Sequence, residues 1–482
     1  MAEFIYLNRD TRFFVQLGAN LWEVPILEDY GFTQATEASE VTLAEAEDST
    51  GQSVRGRATF NDALNPAEWN INAYIRPYED TNHFLADGIL WASLMGADSY
   101  TEPHFYRESD DPADGRDADG SEDVATSGGS NVHFTFNQSN RSQQPEGLIL
   151  YFVLGAGRGE RARVLRLNRA SVNEASLTFD LEGIATVAWS GFAAQMTDIT
   201  EDVRLVELGD SPDTTAIAAD SIVRTADGTL RYVAAEIDTS TNVTGRNAVI
   251  NNNAKNRMSP TFTTSNLIAN RLTQLIVKPN KDASGQSGLQ DEYQMALTGG
   301  TITINNNVTF LTPEELGKVN LPLRNVTGAR SVSGDFTCYL RYDDAEATRS
   351  HSFWDDLAGL TNVTRNVFRV AFNVGGSAGV TTTDDTDQFG GTGLLGPGTS
   401  DHPLPAGTRP TADYRATTNN FTNTADNVPA PRAPGVQFFF PNVNFEIPSH
   451  TVEDVISLSA TFNALPSELT ETDEVYITAV GA

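Results

Sequence analysis

The sequence predicts an all-β protein with minor α content, built as two tandem antiparallel β domains, each flanked by one short helix. Three observations predict this. Short runs of alternating apolar and polar residues dominate over helical periodicity. Gly, Asn and Thr are abundant, as in antiparallel sheets joined by long loops. The chain also repeats itself weakly, half on half. At 482 residues it exceeds what one core usually serves, so two domains is the natural division.

The elements follow in order. Phe13-Phe14-Val15-Gln16 has a partner in Leu275-Ile276-Val277-Lys278, 262 residues on. Trp69-Asn70-Ile71-Asn72-Ala73-Tyr74-Ile75-Arg76 matches Asp335-Phe336-Thr337-Cys338-Tyr339-Leu340-Arg341, with Tyr74 on Tyr339 and Arg76 on Arg341 at a separation of 265. Ile71, Ala73 and Ile75 share one face of the first strand, and Phe336, Cys338 and Leu340 one face of the second, each a half-buried strand. A helix is expected after each strand. One runs from His83 to Met95, with Phe84, Trp91 and Met95 on one stripe. The other starts at Ser352, where Ser352 and Asp355 fit a capping box and Phe353, Leu357 and Leu360 form the stripe. Val172-Asn173 meets Val443-Asn444 at 271, and the closing strands Ala185–Trp189 and Ile456–Phe462 stand at the same separation. A drift from 262 to 271 is what loop insertions produce.

The predicted boundaries are 1–205 for the first domain, 206–270 for a connector with some strands of its own, and 271–482 for the second domain. Residues 97–131 (Asp/Gly/Ser-rich) and 375–435 (Gly/Pro/Thr/Asn-rich) read as long loops.

Composition narrows the function. Sixty-four acidic residues against 32 basic give a net charge of −32, which repels nucleic acid and argues against strong DNA binding. Cys338 is the single cysteine, so an intrachain disulfide and a Cys-based metal cage are both excluded. No apolar run reaches the ~18–20 residues of a membrane span. The N-terminus has neither a basic n-region nor an apolar h-region, so no signal peptide is expected.

With these residues assembled, the chain resembles the tail tube proteins of long-tailed bacteriophages. The segment that carries the resemblance is Val326-Thr327-Gly328-Ala329-Arg330-Ser331-Val332-Ser333-Gly334-Asp335-Phe336-Thr337-Cys338-Tyr339-Leu340, similar to the glycine-flanked strand of that family. Pro313-Glu314-Glu315-Leu316 precedes it and the second helix follows it, where the family places them. In the first half, Asn61-Asp62-Ala63-Leu64-Asn65-Pro66 interrupts the equivalent strand. The resemblance implies β-sandwich or barrel domains whose inner strands join those of neighbours around a lumen, which removes unpaired strand edges.

What it implies for function is a structural virion protein that stacks as rings into the tail tube, the conduit for genome ejection. Three two-domain chains would close one pseudo-hexameric ring. The implied partners are the chain itself, the tape measure protein and genomic DNA transiently in the lumen, and tail terminator and distal tail proteins at the ends. Its place would be the virion tail, after assembly in the host bacterial cytoplasm, without membrane insertion. The rival readings are another ring-forming tail protein, such as a distal tail or baseplate hub component, and an acidic extracellular β-sandwich binding module.

No catalytic, cofactor or metal residue is assigned, and no enzyme activity is expected. Gly375-Gly376-Ser377-Ala378-Gly379 fits G-x-S-x-G, but Val380-Thr381-Thr382-Thr383 is a poor helix start for a nucleophile elbow. Asp114–Asp123 resembles a Ca²⁺ loop, yet with Gly120 in sixth place Gly115 and Thr126 occupy the first and twelfth, which fails the template. His83, His104, His133, His351, His402 and His450 show no metal spacing. Asp355-Asp356 are adjacent carboxylates in a chain rich in them, which does not distinguish them as acid and base.

Overall fold

A computed structural model describes residues 5–41, 49–52, 58–79, 83–97, 132–134, 136, 144–145, 147–156, 161–206, 216–225, 228–233, 235–237, 267–268, 270, 273–279, 293–295, 297–312, 321–341, 350–358, 367–375, 435–452, 455–466 and 472–480. Among the described residues the fold is all-β with two short helices. The loops expected at 97–131 and 375–435 lie almost wholly outside the described residues, as do Pro313–Leu316 and Leu360.

The first half contains β1 (Arg12–Leu17), β2 (Asn20–Val24), β3 (Gly31–Thr33), β4 (Thr36–Val41), β5 (Ala58–Leu64), β6 (Ala67–Tyr74), β7 (Pro77–Glu79) and β8 (His83–Leu85). Helix α1 (Gly88–Leu94) comes next, then β9 (Val132–Phe134), β10 (Leu148–Leu154), β11 (Arg163–Asp180), β12 (Thr186–Ala193) and β13 (Gln195–Asp198). Between the halves, β14 (Arg204–Val206), β15 (Ser221–Thr225) and β16 (Leu230–Val233) form a small sheet of their own. The second half contains β17 (Gln274–Pro279), β18 (Tyr293–Met295), β19 (Leu297–Asn305), β20 (Val308–Leu311), β21 (Arg324–Thr327) and β22 (Ser331–Tyr339). Helix α2 (Ser350–Ala358) precedes β23 (Phe368–Gly375), β24 (Gly435–Phe445), β25 (Ser449–Val452), β26 (Ile456–Ala464) and β27 (Tyr476–Val480).

Alternation builds these strands. In β6, Ala67, Trp69, Ile71 and Ala73 are buried while Glu68 and Asn70 are exposed, the period-two signature of a sheet with one wet face. The 18-residue β11 serves two layers. Its first part pairs with β10 and β13 and its second with β12; the strand passes from one layer to the other between Ala170 and Ser171, and the register with β12 slips just beyond, between Val172 and Glu174. In the second half, β24 pairs with β23 and β27 through its first part and with β26 through its last three residues.

The two halves share a pairing scheme. β1 pairs with β2 and β10, β10 with β11, β11 with β12 and β13, β12 with β6, and β6 with β3. β17, β18, β23, β24, β26, β27, β22 and β19 repeat that scheme. Registers match as well. Ile71 faces Trp189 and Phe336 faces Ala460, displaced by 265 on one strand and 271 on the other. Val15 faces Trp22 and Val277 faces Tyr293, displaced by 262 and 271.

A further correspondence lies in how the halves fill space. Gly191 of β12 stands opposite Trp69 of β6. At the matching pair, Gly334 of β22 stands opposite Phe462 of β26. The strand that carries the aromatic is exchanged, but each pair keeps one ring lying over one glycine.

One apolar core runs through both halves, from Phe13 and Trp69 to Phe372 and Phe462. Each buried aromatic or aliphatic side chain contributes about 1.5–3 kcal/mol. The first helix is shorter than the His83–Met95 expected. His83–Leu85 is instead extended and pairs with Pro77–Glu79, so the helix begins only at Gly88. Trp91 inserts from α1 against Trp189 at 4.6 Å and Phe438 at 5.8 Å. The second helix starts at Ser350, two residues before the expected Ser352. The Ser350 hydroxyl accepts from the Arg341 amide and donates to the Tyr339 carbonyl, both at 2.7 Å, which ties the helix start to the end of β22. The connector sheet packs Leu230 and Tyr232 onto Phe14, Leu21, Tyr151 and Val153, on the far side of β1 and β10 from the main core.

Candidate assembly surface

The halves join by strand pairing. Glu174–Asp180 of β11 lies antiparallel to Gly299–Asn305 of β19. Across this junction the Asn305 side-chain amide donates to Glu174 Oε2 at 2.7 Å, the Ser176 and Thr303 hydroxyls meet at 3.5 Å, and the Val308 amide donates to Asn173 Oδ1 at 2.7 Å. The result is one continuous sheet in the order β3-β6-β12-β11-β19-β22-β26-β25. Among the described residues, the chain pairs β3 only with β6 and β25 only with β26. Both edges of the sheet are therefore open to another strand.

The two faces of this sheet differ sharply. One packs into the core through Ile71, Val187, Leu177, Ile302, Phe336 and Leu458. The other presents mainly Ser, Thr and Asn, with four carboxylates at Glu68, Glu174, Asp180 and Asp335. Thr301 donates to Asp335 and Thr298 meets Thr337 at 2.9 Å, so this face is laced by hydroxyls. No Lys or Arg occurs in β3, β6, β12, β19, β22, β25 or β26, or in Glu174–Asp180 of β11. Cations sit on the other layer, where Arg12 Nε donates to Glu23 at 2.6 Å and Arg163 pairs with Asp198 at 2.8 Å.

The helices differ in the same sense as the edges. Every residue of α1 is buried, with Trp91 reaching Phe438 of the second half. In α2 only Ser350, Phe353 and Leu357 are buried. Phe353 enters a nest of Tyr293, Phe336, Phe368 and Phe445, and Trp354 lies against His450 at 4.9 Å. The second half thus reaches over α1 through Phe438 and Asn306, whereas among the described residues no element of the first half reaches over α2.

The residues weighed as sites do not converge. Ser377 and Asp114–Asp123 lie outside the described residues, with His104 and His402. His83, His133, His351 and His450 belong to β8, β9, α2 and β25. Among the described residues no three of His, Cys, Asp or Glu gather to hold a metal. Asp356 accepts from the Tyr293 hydroxyl, a structural tie for α2. Cys338 is buried, and burial pushes its thiol up to about 12. One group escaped the sequence reading. Asp87, just before α1, is fully buried and accepts from the Trp189 indole at 3.2 Å. Desolvation raises its pKa to about 7, and hydrogen bonds lower it only in part. An Asp at a helix start is common enough that nothing in the sequence distinguished it.

No protein-family model matches the chain. The tail tube protein pb6 of Escherichia phage T5 is 25% identical over 383 residues, a match covering 77% of this chain and 64% of that protein. The chain is a relative of a phage tail tube protein. The match spans less than two thirds of pb6, and 77% of this chain is more than either half alone supplies, so the similarity to pb6 reaches into both.

Proposed function

We propose that the chain is a structural subunit of a phage tail tube, and that its two halves are duplicated tube domains standing side by side in the wall. The observation that carries this reading is the β11–β19 junction, which joins two equivalently paired halves and leaves β3 and β25 as matching free edges. Repeating that junction between chains pairs β25 of one with β3 of the next. The same step covers α2 as α1 is already covered. A heterologous contact that rotates closes into a ring, and closure leaves no strand edge.

Size argues for three chains. Eight strands per chain give 24 in a trimer. At ~4.8 Å spacing and ~40° tilt that is a barrel roughly 48 Å across its backbone, with about 35–40 Å clear after side chains. A two-chain ring would leave only about 20 Å by the same geometry, no more than the width of a B-form duplex. The trimer is thus a pseudo-hexamer of domains, and stacked trimers form the conduit for genome ejection. Such a tube is filled transiently by the tape measure protein and then by DNA. It ends on terminator and distal tail proteins, and is assembled in the host cytoplasm for the virion tail. Its work is mechanical and not catalytic. Native mass spectrometry of isolated rings tests the count. Three chains per ring are expected, and sixfold rotational symmetry from six chains would refute the trimer.

A further inference from the structure

Apart from Ile5, Tyr6, Leu7 and Ile447, the exposed large apolar side chains among the described residues lie at the two opposite ends of the eight-stranded sheet. We propose that these ends are the two halves of one contact, by which a second copy of the chain docks head to tail. The proposal rests on the tube reading above and supplies its axial interface.

The first end carries the β20–β21 hairpin, which leaves the sheet where β19 stops at Asn305 and returns where β22 starts at Ser331. Leu311 is 50% exposed and Leu323 48%, and the two are neighbours, since the Leu323 amide donates to the Leu311 carbonyl at 2.8 Å. Leu321 and Val326 are also exposed. The β4–β5 hairpin stands in the same place in the first half, between β3 and β6, and exposes Phe60. The opposite end is made of turns. Leu181 and Ile184 lie between β11 and β12, Val455 lies between β25 and β26, and Ile456 opens β26, beside Tyr339 at the end of β22. Ile184 and Val455 are separated by 271 residues, the displacement of the strands around them.

Three features select a copy of the chain as the occupant. Each end is duplicated, one hairpin and one turn per half, so two copies in line match at two points. Charge is complementary at one of these points: Arg324 follows Leu323 on the β20–β21 hairpin, while Asp180 and Glu182 flank Leu181 on the turn; the β4–β5 hairpin carries Glu37, Glu40 and Asp62 instead. A hairpin-to-hairpin contact would leave the apolar turns in water, whereas head-to-tail stacking covers both ends and repeats without limit.

The test uses two full-length variants at exposed positions. One breaks the hairpin (Leu311→Asp with Leu323→Asp), the other the turns (Ile184→Asp with Val455→Asp). Both should melt like the parent; if either does not, Ser at the same positions replaces Asp. Sedimentation and negative-stain microscopy should show that neither variant alone forms tubes, each stopping at single rings. Mixed in equal amounts they should form paired rings and nothing longer, because one intact hairpin end meets one intact turn end. Tubes from either variant alone would overturn the proposal, and so would pairs formed by the hairpin variant alone, which would mean turn-to-turn docking. A parent chain that forms neither rings nor tubes would remove the tube reading and this one together. A parent that forms tubes while both variants do too would remove only this one.

Discussion

Gly191→Ala should destabilise the first half although it adds a single methyl group. A Cβ at Gly191 would stand 2.1 Å from the Ser171 carbonyl oxygen and 2.7 Å from Cζ2 of Trp69. The ring could shift, but the carbonyl belongs to β11 at the point where that strand passes between layers, and it cannot move alone. Overpacking of this kind costs about 1–3 kcal/mol, which for a domain near 200 residues lowers Tm by roughly 2–12 °C. Gly147→Ala is the control, because its nearest neighbour would be Leu17 Cδ1 at 3.7 Å. There Ala should be neutral or stabilising by about 0.4–1 kcal/mol through the unfolded state. Differential scanning calorimetry on both variants measures the contrast. Trp69→Phe should fail to rescue Gly191→Ala, because the carbonyl clash remains. If Gly191→Ala melts with Gly147→Ala, the argument that β12 lies too close to β11 and β6 for any side chain is wrong.

Other outcomes follow from the same geometry. Asp87 has a raised folded-state pKa of about 7, so it adds no ionisation cost below the unfolded value near 3.8. Destabilisation should accumulate as pH rises from about 4 to about 7, reaching on the order of 4 kcal/mol. Asp87→Asn should flatten that dependence, and a Tm difference between variant and parent that does not grow from pH 4.5 to pH 7.5 would refute it. Cys338 should resist a thiol reagent such as Ellman's until denaturant is added, since burial holds it protonated; prompt labelling of the native chain would contradict its placement. Thr178 pairs with both Thr186 and Thr301. Thr451 and Gly31 hold the matching places against Ser457 and Asn70, so ring closure should set Thr451 opposite Gly31 and Ser449 opposite Thr33. Ser449→Cys with Thr33→Cys should then cross-link neighbouring chains on oxidation, and tubes that give no cross-link would exclude this register.

The strands were legible where one face is buried and the other wet. In β6, β12, β22 and β26 alternation fixes the face, and the separations of 265 and 271 reappear in the pairing registers. Strand His83–Leu85 was not legible, because three residues give too little periodicity to separate extended chain from a helix start, and Phe84 happens to fall on the helical stripe. The β11–β19 junction was also hidden. Nothing local in Glu174–Asp180 says that its partner lies about 125 residues away, since edge pairing is decided by which side of a sheet is left uncovered. The apolar ends were hidden for a related reason: nothing local to Leu311 and Leu323 tells whether the fold buries or exposes them.

The charge of the wall can now be argued from a surface instead of a total. The chain carries −32 overall, which alone does not say what DNA would meet. The open face of the eight-stranded sheet holds four carboxylates and no Lys or Arg, so if this face lines the tube, each three-chain ring presents twelve negative groups among hydroxyls and amides. Phosphates gain nothing by approaching such a wall, no counterions are released, and a hydrated gap is kept. Reversing part of the pattern should create drag. Thr303→Arg with Ser333→Arg places two cations per chain on adjacent strands β19 and β22, where those residues pair. The substitutions point away from the core, so tubes should still assemble. Genome ejection should slow at low salt and recover as salt screens the new contacts, while the parent changes little. If ejection through the variant tube is as fast and as salt-insensitive as through the parent, this face does not line the path of the DNA.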